Sequence, residues 1–115
     1  MKFMLLIGGN RRAWAELSPD DWAQSVDAHG RLIADLKQSG EFVECNELAW
    51  TPEGSRIVRQ VGDQVSVSAG PLHDDSDFAS GYYLLNCVDM ERASEVAGQL
   101  HESRFAPIEV RQVGE

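Results

Sequence analysis

At 115 residues and 12.7 kDa the chain is long enough for one hydrophobic core and too short for two ordinary domains, so residues 1–115 read as a single domain. Its 43% hydrophobic and 25% charged residues fit a globular protein and argue against a disordered one. A formal net charge of −9 and a pI near 4.7 argue against nucleic acid as a partner, because phosphate binding needs clustered Lys and Arg.

Met1 to Ile7 is an apolar run of strand length, too short to cross a bilayer, and Gly8-Gly9-Asn10 after it has turn chemistry. No membrane association or export is expected, and the cytoplasm is the expected compartment. Ser18-Pro19-Asp20-Asp21 predicts a helix start: a hydroxyl at the N-cap, proline at the first helical position and carboxylates at the positive end. Trp22, Val26, His29, Ile33 and Leu36 then share one helical face, which should pack on an apolar surface, and Gly40 supplies the stop. Phe42 to Trp50 reads as a strand closed by Thr51-Pro52-Glu53-Gly54. Ser55 to Val61 and Gln64 to Ser68 alternate around Gly62-Asp63 as a hairpin. After the Gly70-Pro71 loop, Gly81 to Val88 reads as a strand. Asp89 caps a second helix carrying Met90, Ala93, Val96, Ala97 and Leu100 on one side, and Pro107 opens a last strand, Ile108 to Val113.

The resulting order, β-α-β-β-β-β-α-β, predicts an α+β protein: a ferredoxin-like core with a mainly antiparallel sheet, an inserted hairpin and two helices on one face. In Phe3 to Ile7 and Tyr82 to Leu85 the apolar residues occupy both parities, so the face without helices is hydrophobic too. A homodimer packed sheet against sheet is the simplest way to bury it.

Among residues that could carry chemistry, His29 stands out because helical spacing turns it toward the sheet. A buried imidazole needs hydrogen-bond partners, and a carboxylate beside it would suit a general acid or base. At about 100° per residue Asp27 and Asp35 point away from it, so the partner must come from another element. The acidic loop with Asp74, Asp75 and Asp77 is the richest source. His73-Asp74-Asp75 looks like a metal-ligand cluster, but adjacent loop residues seldom converge on one ion, and a solvated loop with no metal is expected. Gly70 and Gly81 bracket that loop, and Gly70, Pro71, His73 and Trp22 are candidate ligand-binding positions. Trp14, Trp22 and Trp50 could line a pocket for an aromatic ligand or serve the core or an interface. His101 suits a helix C-terminus. Cys45 and Cys87 stand singly, as buried thiols of a reducing compartment do. No nucleotide loop or nucleophile elbow is present, and no cofactor is expected.

The KFMLLI start, the helix with His29 followed by Gly40, the SAGPL turn and the GYYLL strand before a second helix resemble the YCII-related family, and within it the DGPF-domain subgroup. The resemblance implies a dimeric α/β-barrel of ferredoxin-like protomers. It also implies a His-Asp pair in which His29 is the histidine. The turn that usually reads Asp-Gly-Pro-Phe in the subgroup is Ala69-Gly70-Pro71-Leu72 here, so its aspartate is missing, and Asp74 or Asp75 would have to replace it. Some relatives in the wider superfamily act on chlorinated or hydroxylated ring-cleavage products as dehalogenases, isomerases or monooxygenases. The sequence reading favours a protein that binds a small molecule in a helix-sheet pocket. The alternative is a cofactor-independent lyase, isomerase or dehalogenase using His29 with Asp74 or Asp75 on a small, partly apolar substrate. A third reading makes His29 a haem ligand.

Overall fold

The computed structural model describes residues 1–49, 52–70 and 77–114, apart from the side chains of 10–13, 52, 77 and 78. Strands β1 (Lys2–Asn10), β2 (Phe42–Glu47), β5 (Asp77–Asn86) and β6 (Ile108–Gln112) form one sheet in the order β2-β5-β1-β6, while β3 (Arg56–Val61) and β4 (Gln64–Ala69) form a separate two-stranded sheet. Every pairing between these strands is antiparallel. With helices α1 (Arg11–Glu16), α2 (Pro19–Ser39) and α3 (Met90–Gln99), the chain is α+β and compatible with a ferredoxin-like fold. Helix α1 and the 3-10 turns Pro52–Gly54 and His101–Arg104 are additions to the expected order. Among the described residues no helix is long and apolar enough to cross a membrane.

The helix ends follow local chemistry. Ser18 Oγ accepts from the Asp21 amide at 3.1 Å and Asp21 Oδ2 accepts from the Ser18 amide at 2.9 Å, a reciprocal cap that starts α2. Gly40 ends it in the left-handed region. Asp89 Oδ1 accepts from the Arg92 amide at 2.8 Å and starts α3. In the β3-β4 turn Gly62 has φ 60° and Asp63 does not have positive φ. Glycine first is what a type II′ hairpin turn requires.

Two boundaries differ from the sequence expectation. Gly8-Gly9-Asn10 does not turn: β1 continues through it, paired with 77–79 after a register shift at Ile7/Gly8. The glycine there serves close approach, since the Gly8 amide donates to the Pro107 carbonyl at 2.9 Å and a Cβ would lie 2.5 Å from that oxygen. The same extension makes β5 begin at Asp77 rather than at Gly81. Strand β2 stops at Glu47, and Trp50 and Thr51 lie outside the described residues.

Phe3, Leu5 and Ile7 of β1 and Tyr83 and Leu85 of β5 point to the helix side, where they pack with Leu32 and Leu36 of α2 and Ala93, Val96 and Ala97 of α3. The small residues of α3 let it lie close to the sheet. Arg92 fastens α3 to the start of β2, donating from Nε and Nη2 to the two Glu41 carboxylate oxygens, each at 2.9 Å. The other side of the sheet carries Met4, Leu6, Tyr82 and Leu84, all only partly buried.

Candidate functional site

The predicted face of α2 divides along its length. Leu36 is buried and Ile33 packs against the core, but Trp22 is 43% and Val26 69% exposed, and the buried positions further along the turn are Ser25 and Leu32. The N-terminal half of α2 therefore does not seal onto the sheet. It overhangs a cleft of about 940 Å³ whose floor includes Ile7 of β1 and Ser80, Gly81 and Tyr83 of β5, with Cys45 to Leu48 along one side.

His29 sits where the sealed and open halves of α2 meet. Its Nε2 lies 2.6 Å from Glu102 Oε1 and its Nδ1 2.5 Å from the Tyr83 hydroxyl oxygen. Ser25, one turn before His29, donates from Oγ to the same Glu102 oxygen at 3.1 Å. With Glu102 as carboxylate, Nε2 must carry hydrogen and donate, so in the neutral imidazole Nδ1 accepts from the Tyr83 hydroxyl. Burial pushes the Tyr83 phenol well above its ordinary pKa, and Cys45 and Glu102 push the same way. That keeps the hydroxyl protonated and able to donate. The result is a continuous hydrogen-bonded chain, Tyr83–His29–Glu102–Ser25, drawn from a strand, a helix and a 3-10 turn.

Each member is placed by its own element. Tyr83 has the inward parity of Leu85 on β5 and pairs with Leu5 and Cys45 on the flanking strands. Glu102 is delivered by the end of α3: Leu100 leaves the helix with φ −65° and ψ 132°. The Glu102 carbonyl then accepts from the Phe105 and Ala106 amides, turning its side chain inward to 4% exposure. The His29 side chain keeps 27% exposure against 5% for Glu102, so the imidazole is the more open member of the pair.

An aromatic wall closes one side. Trp14 and Trp22 stack with centroids 5.2 Å apart and 20° between planes, and Phe105 backs Trp14 at 6.2 Å. Trp14 Nε1 and Glu102 Oε2 are buried without a hydrogen-bond partner among the described residues, and both residues line this cleft. A second groove of about 600 Å³, on the far side of α2 between Asp27, Arg31, Asp35, His101 and Arg104, contains neither of these unpartnered atoms.

Of the sequence candidates, His29 and Trp22 come together at the cleft, with Gly81 on its floor. Gly70 does not line it: Gly70 is buried at the base of the β3-β4 hairpin, where its amide donates to the Ser55 carbonyl at 3.0 Å. Pro71, His73, Asp74 and Asp75 lie outside the described residues. The carboxylate beside His29 is Glu102, which the sequence reading passed over together with Tyr83 and Ser25. Tyr83 was findable, since its parity with Leu85 puts a phenol on the core side. Ser25 stands one helical turn before His29, whereas Glu102 has no periodic signal. His101 packs its ring edge-on against Phe105 at 5.3 Å.

Both His29 nitrogens are engaged, so an iron-ligating role would first have to break one of these bonds. No group of His, Cys, Asp and Glu among the described residues is arranged to hold a metal ion. No family model and no curated protein matches this sequence.

Proposed function

We propose that this chain is a YCII-like homodimeric protein that binds a small, partly apolar molecule in the cleft between α2 and the sheet. The observation that carries this reading is the composition of the cleft. A fixed polar chain that includes a partly accessible imidazole faces an aromatic wall, the usual combination of apolar walls with a few placed polar groups in a ligand site. The two residues whose buried polar atoms have no partner among the described residues both line this cleft.

The homodimer is supported by two apolar surfaces. One is the helix-free side of the sheet with Met4, Leu6, Tyr82 and Leu84. The other is the face of the β3-β4 hairpin carrying Val58, Val65 and Val67, each 61–63% exposed. Among the described residues the hairpin pairs with no strand of the main sheet, and the radius of gyration of 15.9 Å exceeds the roughly 13 Å of a compact chain this long. A two-stranded hairpin is marginal without a covering surface.

The test is a thermal-shift screen of chemically mixed small molecules against the wild type and Val26→Trp, which places an indole in the cleft from an already exposed helix position. A ligand at one hundred times its Kd stabilises by about 2.7 kcal/mol, or roughly 10 °C for a domain of this size. Hits that raise the wild-type Tm and leave Val26→Trp unmoved support the site. A library with no such hit refutes it.

A second reading, acid-base catalysis without a cofactor, is favoured by the Tyr83–His29–Glu102 chain. Its imidazole is positioned by Glu102 on one side and hydrogen-bonded to a phenol on the other, so a proton taken up or released at the cleft can be relayed. A compound found by the screen and turned over by the wild type should be turned over about 10²-fold or more slowly by His29→Gln. Equal rates sink this reading.

A further inference from the structure

The cleft is selective by charge as well as by shape. Among its described lining residues there is no Lys or Arg, whereas Glu47 and Glu102 both contribute carboxylates and His29 is the sole basic side chain. Among the described cations, Arg31 and Arg104 line the groove on the far side of α2, and the Lys37 ammonium lies 5.4 Å from the Phe42 ring centroid. His29 is already committed to Glu102, so even a protonated imidazole leaves no spare positive charge for an anionic ligand. A carboxylate entering here would meet like charge, with no guanidinium among the described lining side chains to receive it.

The aromatic wall supplies the complementary attraction. Trp22 is stacked on the buried Trp14 on one side and still keeps 43% of its surface exposed. A flat, anchored indole at a cleft mouth favours a second planar π-system, or a cation over its face. Two cleft residues also carry buried polar atoms without a partner among the described residues, the acceptor Glu102 Oε2 and the donor Trp14 Nε1. A ligand N–H or O–H group that reached the first would satisfy it, as a ligand acceptor would the second.

From these observations we infer that the cleft takes planar molecules that are uncharged or carry a cationic amine, and discriminates against carboxylates. The inference rests on the ligand-binding reading above and narrows its ligand class. Indole, tryptamine and indole-3-acetate share one ring system and differ in charge, so isothermal titration of the intact protein with each, at low salt, isolates the selection. Indole and tryptamine should bind, with indole-3-acetate about tenfold weaker or worse. Glu47→Gln should lower the preference for tryptamine over indole roughly two- to fivefold. Indole-3-acetate binding as tightly as indole overturns the charge selection and leaves the ligand-binding reading standing. Silence from all three overturns the planar selection, and the broader reading falls with it only if the mixed library is silent too.

Discussion

His29 and Glu102 offer a double-mutant cycle whose outcome depends directly on the hydrogen-bonded chain. The imidazole and carboxylate meet at 2.6 Å, and the Glu102 side chain is 5% exposed. Among the described residues, changing His29 to Leu leaves that carboxylate oxygen with only the Ser25 hydroxyl at 3.1 Å. A hydrogen bond to a charged group contributes about 1.5–3 kcal/mol, and stranding a buried polar group adds about 1–3 more. Because His29 keeps 27% exposure and water can reach its side, the lower halves apply, giving about 2–4 kcal/mol for His29→Leu. Glu102→Leu should cost a similar amount by stranding Nε2 and Ser25. The double variant strands neither partner of the pair and should be more stable than the sum of the singles by about 2 kcal/mol. Tyr83 loses its acceptor in both arms that change His29, so its contribution cancels in the cycle. Urea unfolding reads the result, with a slope of about 1–1.5 kcal/mol/M for a domain of this size turning each single substitution into a midpoint shift of about 2 M. Additivity within about 0.5 kcal/mol would refute the coupling on which the site rests.

Acid should weaken the protein through Glu41, whose carboxyl the paired Arg92 guanidinium holds down to about 2 from an ordinary 4.5, against the opposing effect of burial. A depressed folded-state pKa gives stability that is full above pH 4.5 and is lost as pH falls from 4.5 toward 2. Linkage sets a ceiling of about 3 kcal/mol, and the 32% exposure of the Arg92 side chain reduces it to about 1–2 kcal/mol. Urea midpoints between pH 6 and pH 2.5 should show that loss in the wild type and much less of it in Arg92→Leu; parallel curves would count against it. On the helix-free side of the sheet, Leu84→Glu should convert a sedimenting dimer to monomer with little change in circular dichroism, and a wild type that sediments as a monomer at tens of micromolar would remove the dimer proposal.

What the sequence revealed and what it hid divide along a physical line. Ser18 with Asp21, Gly40, Gly62-Asp63 and Asp89 are readable because each acts on backbone groups within a few residues. The alternation of Phe3, Leu5 and Ile7 and of Tyr83 and Leu85 likewise gives the core side of the sheet directly. His29 was legible as an inward-facing histidine needing a partner from elsewhere, but composition drew attention to the aspartate-rich loop. Glu102 lies in a 3-10 turn of four residues, where no period exists to reveal which way a side chain points. The Gly8-Gly9 pair misled because glycine signals close approach as often as a turn, and the approaching group, the Pro107 carbonyl, lies far along the chain.

The exposed half of the α2 stripe gives the cleft its strongest physical argument. Trp22 and Val26 carry the apolar spacing of a buried face, yet they are 43% and 69% exposed, so their hydrophobicity is not explained by the core of this chain. If Val26 serves a ligand, replacing it with Gln should leave stability unchanged or raise it by a few tenths of a kcal/mol. An unbranched side chain is the better helix former, and little packing is lost at so exposed a site. The same substitution should weaken binding of any cleft ligand severalfold, the trade between stability and function expected where apolar surface is kept open. Thermal unfolding and titration of one variant therefore separate the two roles. Destabilisation beyond about 1 kcal/mol would make Val26 a packing residue. Unchanged stability with weakened binding would make the overhang of α2 a binding surface, explaining why a stripe patterned for burial is left uncovered.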